Sequence, residues 1–122
     1  MIVTHDPFTT GIELEQYLKH FNHKFIMLNV KSEGIEYEII KLLNKYNITN
    51  YFFLDCSFPM IYKLTQLNEN NIALRFSEYE SIDTILNMKN KCKYVWIDCF
   101  TNYPLTITTY NILKQNNFKL CF

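Results

Sequence analysis

The sequence has few of the residues from which nucleotide-binding turns are built. The chain of 122 residues contains only two glycines, Gly11 and Gly34, and no glycine-rich turn follows any apolar run. A dinucleotide-binding fold needs such a turn to bring its backbone close to the pyrophosphate. The shortage of glycine therefore argues against a Rossmann-type site.

A charge bias and long hydrophobic runs are also lacking. Twelve basic residues balance 12 acidic ones, and the formal net charge is zero. Because no basic run is present that would follow a phosphate backbone, we expect no nucleic-acid partner. No apolar stretch approaches the roughly 20 residues of a membrane-spanning helix, and the N-terminus lacks a signal-peptide pattern. We therefore expect a cytoplasmic protein without a membrane span.

The cysteines form no closely spaced pair of the kind that zinc knuckles use. Three of the four lie in apolar, strand-like runs, which predicts buried free thiols in a reducing compartment. The cysteines are Cys56, Cys92, Cys99 and Cys121.

A repeated unit is present instead, in which a short apolar strand ends in a polar residue and an amphipathic helix follows. Apolar residues make up 48% of the chain, enough for one core, so we expect a single domain over residues 1–122. This alternation predicts an α/β fold with a parallel sheet and right-handed crossovers. The predicted strands are Ile2–His5, Phe25–Lys31, Tyr51–Ser57, Ile72–Ser77, Tyr94–Phe100 and Phe118–Phe122.

Helix start signals lie between several of these strands. The segment Thr10–Glu13 has the pattern of a capping box, which predicts that a helix starts there. Pro59 suits the first turn of a later helix, and Ser81 can cap another.

Two architectures fit the alternation: a partial TIM-type (β/α) barrel with about six strands, and an open doubly wound sheet of the flavodoxin type. Chain length favours the open sheet, because a full barrel needs about 250 residues. The polar residues that end successive strands favour the barrel, because such ends converge on one mouth. These residues are His5, Lys31, Asp55, Arg75 and Asp98.

Strand periodicity predicts which side chains meet at this mouth. Side chains two residues apart in a strand point to the same side. The resulting sets are Asn29 with Lys31, Phe53 with Asp55 and Ser57, Ala73 with Arg75 and Ser77, and Trp96 with Asp98 and Phe100. Two cations beside two carboxylates suit a phosphate-like anion, so we predict that Asp55, Arg75, Trp96 and Asp98 bind the ligand. Solvated caps and structural ion pairs would give the same pattern.

Three further residues have side chains suited to chemistry. His5 can act as a general acid or base near neutral pH, although a lone histidine in a turn is more often a surface residue. Glu78 and Glu80 follow the fourth strand and suit a divalent cation, but acidic residues also favour helix starts.

The segments THDPF, FIMLNVKSEG, YFFLDCSFP, IALRFSEYE and YVWIDCF, in this order, resemble the glycerophosphodiester phosphodiesterase family of phospholipase-C-like barrels. The resemblance covers nearly the whole chain. It implies a (β/α) barrel that cleaves a small phosphodiester with the help of a divalent metal such as Mg²⁺ or Ca²⁺. It also implies that His5 is one of two acid–base histidines and that Lys31 contacts the phosphate.

The sequence departs from the family pattern in two respects. Asn29 stands where the family usually has an acidic metal ligand, so the metal set is incomplete. The family's first His-Arg motif and its Glu-x-Asp pair precede the His-Asp pair, whereas this chain begins four residues before His5. We therefore expect a reduced or incomplete member that lacks the first and last barrel strands and is inactive alone. Its open edges would join it into a homo-oligomer or to a complementing fragment.

Two other classes of protein stay open. In a receiver-like signalling module, Asp55 of LDCSFPM would accept a phosphoryl group and Ser77 would supply a hydroxyl. Against this alternative, the first strand offers only Asp6 of an acidic pair, and Asp98 stands where a lysine is needed. The other alternative is a non-catalytic interaction domain.

Overall fold

The structure, a computed structural model, describes residues 1–4 and 9–122. Within them the chain is an α/β protein with seven strands and five helices. The strands are β1 Ile2–Val3, β2 Ile12–Glu13, β3 Ile26–Asn29, β4 Tyr51–Leu54, β5 Ala73–Phe76, β6 Tyr94–Ile97 and β7 Lys119–Cys121. The helices are α1 Leu14–Lys19, α2 Glu36–Lys45, α3 Phe58–Gln66, α4 Ile82–Leu86 and α5 Ile107–Gln115.

The parallel strands are hydrogen-bonded in the order in which the chain visits them. β3 pairs with β4, and β5 pairs with β6, which pairs with β7. A parallel bridge between Phe53 and Ile72 connects β4 to β5. The predicted repeat of strands and helices is therefore confirmed. The order lacks, within the described strands, the reversal that defines a doubly wound sheet.

The first predicted strand is not part of this parallel sheet. β1 is shorter than predicted and pairs antiparallel with β2, with Val3 opposite Ile12. The capping box predicted at Thr10–Glu13 is wrong, because these residues lead into and form β2 and no side chain caps α1. A Cβ atom on Gly11 would collide with the carbonyl oxygen of Val3, so only glycine allows this close approach.

The main core lies where the helices cover one face of the parallel sheet. Around β3 and β4 it is built from α1 and α2, with Leu18 and Leu43 almost fully buried. Around β5 to β7 it is built from α3, α4 and α5, with Leu64, Ile85 and Leu113 buried. Near-continuous apolar strands predict cover on both faces of the sheet, whereas the described helices pack against one.

The opposite face of the sheet carries a smaller cluster formed by strand residues. Phe52, Leu54 and Ala73 are buried there, with Tyr94 and Trp96 packed against them. The rings of Phe52 and Tyr94 lie 5.0 Å apart between centroids. This face is thus covered by its own large side chains rather than by the described helices.

Three helix starts are fixed by side-chain caps. Ser57 accepts a hydrogen bond from the Met60 N–H, and proline occupies the first turn of α3 as predicted. Ser81 caps α4, which confirms a second prediction. Thr106 and Thr109 form a capping box at α5 that the sequence patterns did not reveal.

The described helices include none that is long and apolar enough to cross a membrane. All four cysteines are free thiols, but burial is less complete than predicted. Cys92 is buried, Cys56 and Cys121 are half-buried, and Cys99 is exposed.

Candidate functional site

Four of the predicted site residues meet at the carboxyl ends of the parallel strands. The Arg75 guanidinium binds Asp55 through Nη2 and lies 3.5 Å from Asp98 Oδ2 through Nη1. Lys31 Nζ lies 3.7 Å from the other carboxylate oxygen of Asp55. We call these four residues the edge cluster. The predicted clustering is confirmed for these four residues and stays a prediction for the fifth, His5.

Asp55 reaches the cluster by a backbone route that strand alternation does not describe. β4 ends at Leu54, and Asp55 has a φ of 62°, in the left-handed region. Phe53 is fully buried in the core beside the helices. The prediction that Phe53, Asp55 and Ser57 continue one strand face is therefore wrong, because the left-handed residue interrupts the alternation.

Of the other predicted residues, the structure describes Trp96 and Asn29 but not His5. Trp96 is paired in register with Arg75 and is half-buried on the face without helices. Asn29 ends β3 and is exposed. His5 lies outside the described residues, so its predicted role stays a prediction.

The cluster is accessible to solvent and lies between two cavities. The side chain of Lys31 is 60% exposed, and that of Arg75 is 33% exposed. One cavity of about 480 Å³ is lined by Asp55 and Arg75, together with Phe58 of α3. A second cavity of about 820 Å³ is lined by Lys31 and by residues of β3. Each of the two cations therefore lines a cavity that is open to solvent.

A side-chain hydrogen bond joins the loops that carry Lys31 and Asp55, and a second one stabilises the turn after Lys31. Their acceptors, Glu33 and Glu36, were not predicted from the sequence. The Ser57 hydroxyl donates to the Glu33 carboxylate. Glu36 is only 1% exposed, and its carboxylate accepts the Gly34 N–H at 2.8 Å. Gly34 has a φ of 98°, and a glycine two residues before the first residue of α2 was the sequence signal for this turn.

The two candidate metal ligands after β5 are engaged in hydrogen bonds within the chain. Glu80 accepts the Ser77 hydroxyl at 2.6 Å. Glu78 accepts backbone N–H groups of the loop after β6. Although burial opposes it, hydrogen bonds from these N–H groups lower the pKa of Glu78 to about 2.

The donor set does not fit the divalent metal that the resemblance implies. No group of three or more His, Cys, Asp or Glu side chains in residues 1–4 and 9–122 is arranged to hold a metal ion. The two carboxylates at the edge already bind Arg75 and Lys31. We therefore assign no metal ligands.

The thiol beside the cluster is poorly suited to nucleophilic chemistry. Burial, with smaller contributions from Glu36 and Asp55, raises the pKa of Cys56 to about 12. A thiol with this pKa is protonated near neutral pH, whereas the thiolate is the reactive form.

Comparison of the chain with protein-family models, with curated proteins and with solved structures gave no match.

Proposed function

We propose that this chain binds a small phosphate-containing ligand at the edge cluster, in the manner of a reduced glycerophosphodiester phosphodiesterase. The observation that carries this proposal is the placement of Arg75, the only arginine in the sequence, between two carboxylates beside an exposed lysine. A planar guanidinium held in a fixed orientation suits an oxyanion with two acceptor atoms.

Arg75 and Lys31 have more N–H donors than their ion pairs with the described residues use. A guanidinium has five N–H donors, whereas Asp55 and Asp98 contact one terminal nitrogen each. Lys31 has three donors and a single ion-pair partner among the described residues. We propose that the two carboxylates orient the arginine and that the remaining donors of both cations bind the phosphate.

The strand arrangement supports the fold that accompanies this proposal. Parallel strands in chain order, with helices against one face, are the arrangement found in part of a (β/α) barrel. Such barrels bind their ligands at the carboxyl ends of the strands. We propose a partial barrel with the edge cluster at its mouth.

Catalysis by the chain alone is expected to be weak or absent. His5 is the proposed acid–base group, with Lys31 on the phosphate. Asn29 stands where the family usually has an acidic metal ligand, and no group of three or more His, Cys, Asp or Glu side chains among the described residues is arranged to hold a metal ion. Because catalytic groups that act together lose most of their effect when one is removed, we propose binding as the main activity.

The receiver-like alternative has less support. It would require Asp55 to accept a phosphoryl group, yet this carboxylate already binds both Arg75 and Lys31. It would also require the reversed strand order of a doubly wound sheet.

Calorimetric titration with glycerol phosphate tests the proposal. The wild type should bind, and Arg75→Lys should bind about tenfold more weakly because the planar fork is lost. Lys31→Gln should weaken binding too, whereas Lys63→Gln, which removes an exposed lysine on α3, serves as the matched control. Equal affinities of the wild type and Arg75→Lys would remove Arg75 from the site.

A further inference from the structure

The carboxylate of Glu78 accepts hydrogen bonds from three consecutive backbone N–H groups. The donors are Phe100 at 3.0 Å, Thr101, and Asn102 at 3.1 Å. The Thr101 hydroxyl adds a fourth bond at 3.0 Å. Converging N–H groups of this kind form an anion-binding nest, and a side chain of the same protein fills it here.

These bonds join the two loops that flank the Arg75–Asp98 contact. Glu78 follows β5, which carries Arg75, and residues 100–102 follow Asp98 at the end of β6. Backbone pairing between the two segments extends to the Asp98 N–H, which donates to the Phe76 oxygen at 2.9 Å. Beyond that point the Glu78 carboxylate connects the segments.

The orientation of Asp98 depends on the path of this loop. Its Oδ1 accepts the Cys99 N–H at 3.0 Å, and its Oδ2 faces Arg75 at 3.5 Å. A shift of residues 99–102 would disturb the hydrogen bond that holds this carboxylate.

We propose that Glu78 is a positioning residue of the edge cluster. It holds residues 100–102 so that Asp98 stays against Arg75 and the guanidinium keeps the orientation in which it binds a phosphate. This inference rests on the proposed function, because it concerns the same site. Glu78 acts through Asp98 and does not contact the ligand.

The direction of the change in affinity distinguishes a positioning role of Glu78 from a purely electrostatic one. Removing a carboxylate near an anion site strengthens anion binding if only Coulomb forces act. Loss of a positioning residue weakens binding, because the guanidinium loses its fixed orientation.

Calorimetric titration with glycerol phosphate distinguishes these outcomes. We expect about tenfold weaker binding by Glu78→Ala, and an intermediate affinity for Glu78→Gln, which keeps one acceptor oxygen. Asp83→Asn, which removes an exposed negative charge from α4, is the charge control. Binding by Glu78→Ala that equals or exceeds that of the wild type would overturn the proposal.

A second readout does not require the ligand. In NMR spectra of the folded variants, Glu78→Ala should move the Arg75 Nε–H signal and speed amide exchange at Thr101. If the wild type fails to bind glycerol phosphate, the proposed function fails, and this measurement alone decides the role of Glu78. Glu78→Gln provides the same readout if the alanine variant does not fold. An unchanged Arg75 signal in the folded variants would overturn the inference.

Discussion

Backbone pairing is dense within each half of the parallel sheet and sparse between the halves. β3 and β4 share four registered residue pairs, and so do β5 and β6. Between β4 and β5, in the part of the chain that the structure describes, pairing is reduced to the bridge between Phe53 and Ile72. At the carboxyl ends, the contact of Asp55 with Arg75 spans the same boundary.

The edge cluster lies at this boundary. The ion pair between Asp55 and Arg75 joins the halves of the sheet where backbone pairing is thin. The proposed second role is that the remaining donors of Lys31 and Arg75 bind the ligand. A ligand that binds both Lys31 and Arg75 would contact both halves. It should therefore stabilise the folded state by mass action.

The largest expected loss of stability comes from truncating the buried side chain at the bridge between the two halves. Phe53 is fully buried at the bridge position, and Phe53→Ala should lower the free energy of unfolding by about 3–5 kcal/mol. Urea denaturation measures this loss. Phe122 is 72% exposed, and Phe122→Ala should change stability by no more than about 0.5 kcal/mol. Similar losses for both variants would contradict the assigned core.

A smaller effect is expected when the ion pair across the boundary is broken. Asp55→Asn removes the charge but keeps a residue that tolerates the left-handed conformation, and it should cost roughly 1–2 kcal/mol. Asp55→Ala should cost about 1 kcal/mol more, because alanine is strained there. Thermal unfolding of both variants tests this order. An alanine variant as stable as the asparagine variant would contradict the left-handed backbone conformation of Asp55.

The dependence of stability on pH tests the contacts that Glu78 makes between the loops after β5 and β6. The pKa of Glu78 is lowered to about 2 in the folded chain from an ordinary value of 4.5. The folded state therefore binds fewer protons, and the contribution of Glu78 is complete above pH 4.5 and is lost as the pH falls towards 2. Glu78→Gln should lose less stability over this window than the wild type. Parallel acid titrations of the two would contradict the Glu78 contacts.

The outer edges of the two halves allow a last prediction. Among the described residues, β3 pairs only with β4, and β7 pairs only with β6. Unpaired strand edges invite association, so we expect a homo-oligomer. Light scattering at high micromolar concentration should give at least twice the mass of 14.7 kDa. A stable monomer would argue against pairing through these edges.

Much of the edge cluster was predictable because it depends on short-range patterns. The apolar runs located the strands, and parallel strands place their carboxyl ends on one side of a sheet. Lys31, Asp55, Arg75 and Asp98 could therefore be grouped from the sequence. The βα alternation predicted the fold class in the same way.

The failed predictions depend on backbone conformation and on distant contacts. Gly11 was interpreted as part of a capping box, whereas its lack of a Cβ atom lets β2 pass close to Val3. The left-handed φ of Asp55 had no sequence signal comparable to a glycine. The bonds from Glu78 to residues 100–102 join segments more than 20 residues apart, which periodicity cannot reveal.

The edge cluster is proposed to bind a phosphate group as well as to join two halves of a sheet. NMR observation of the Arg75 guanidinium during titration of the wild type with glycerol phosphate tests it most directly. We predict a saturable shift of the Arg75 Nε–H signal, with the same dissociation constant as in calorimetry. An Arg75 signal that stays unchanged up to high concentrations of glycerol phosphate would contradict phosphate binding and leave the cluster as a structural ion-pair network.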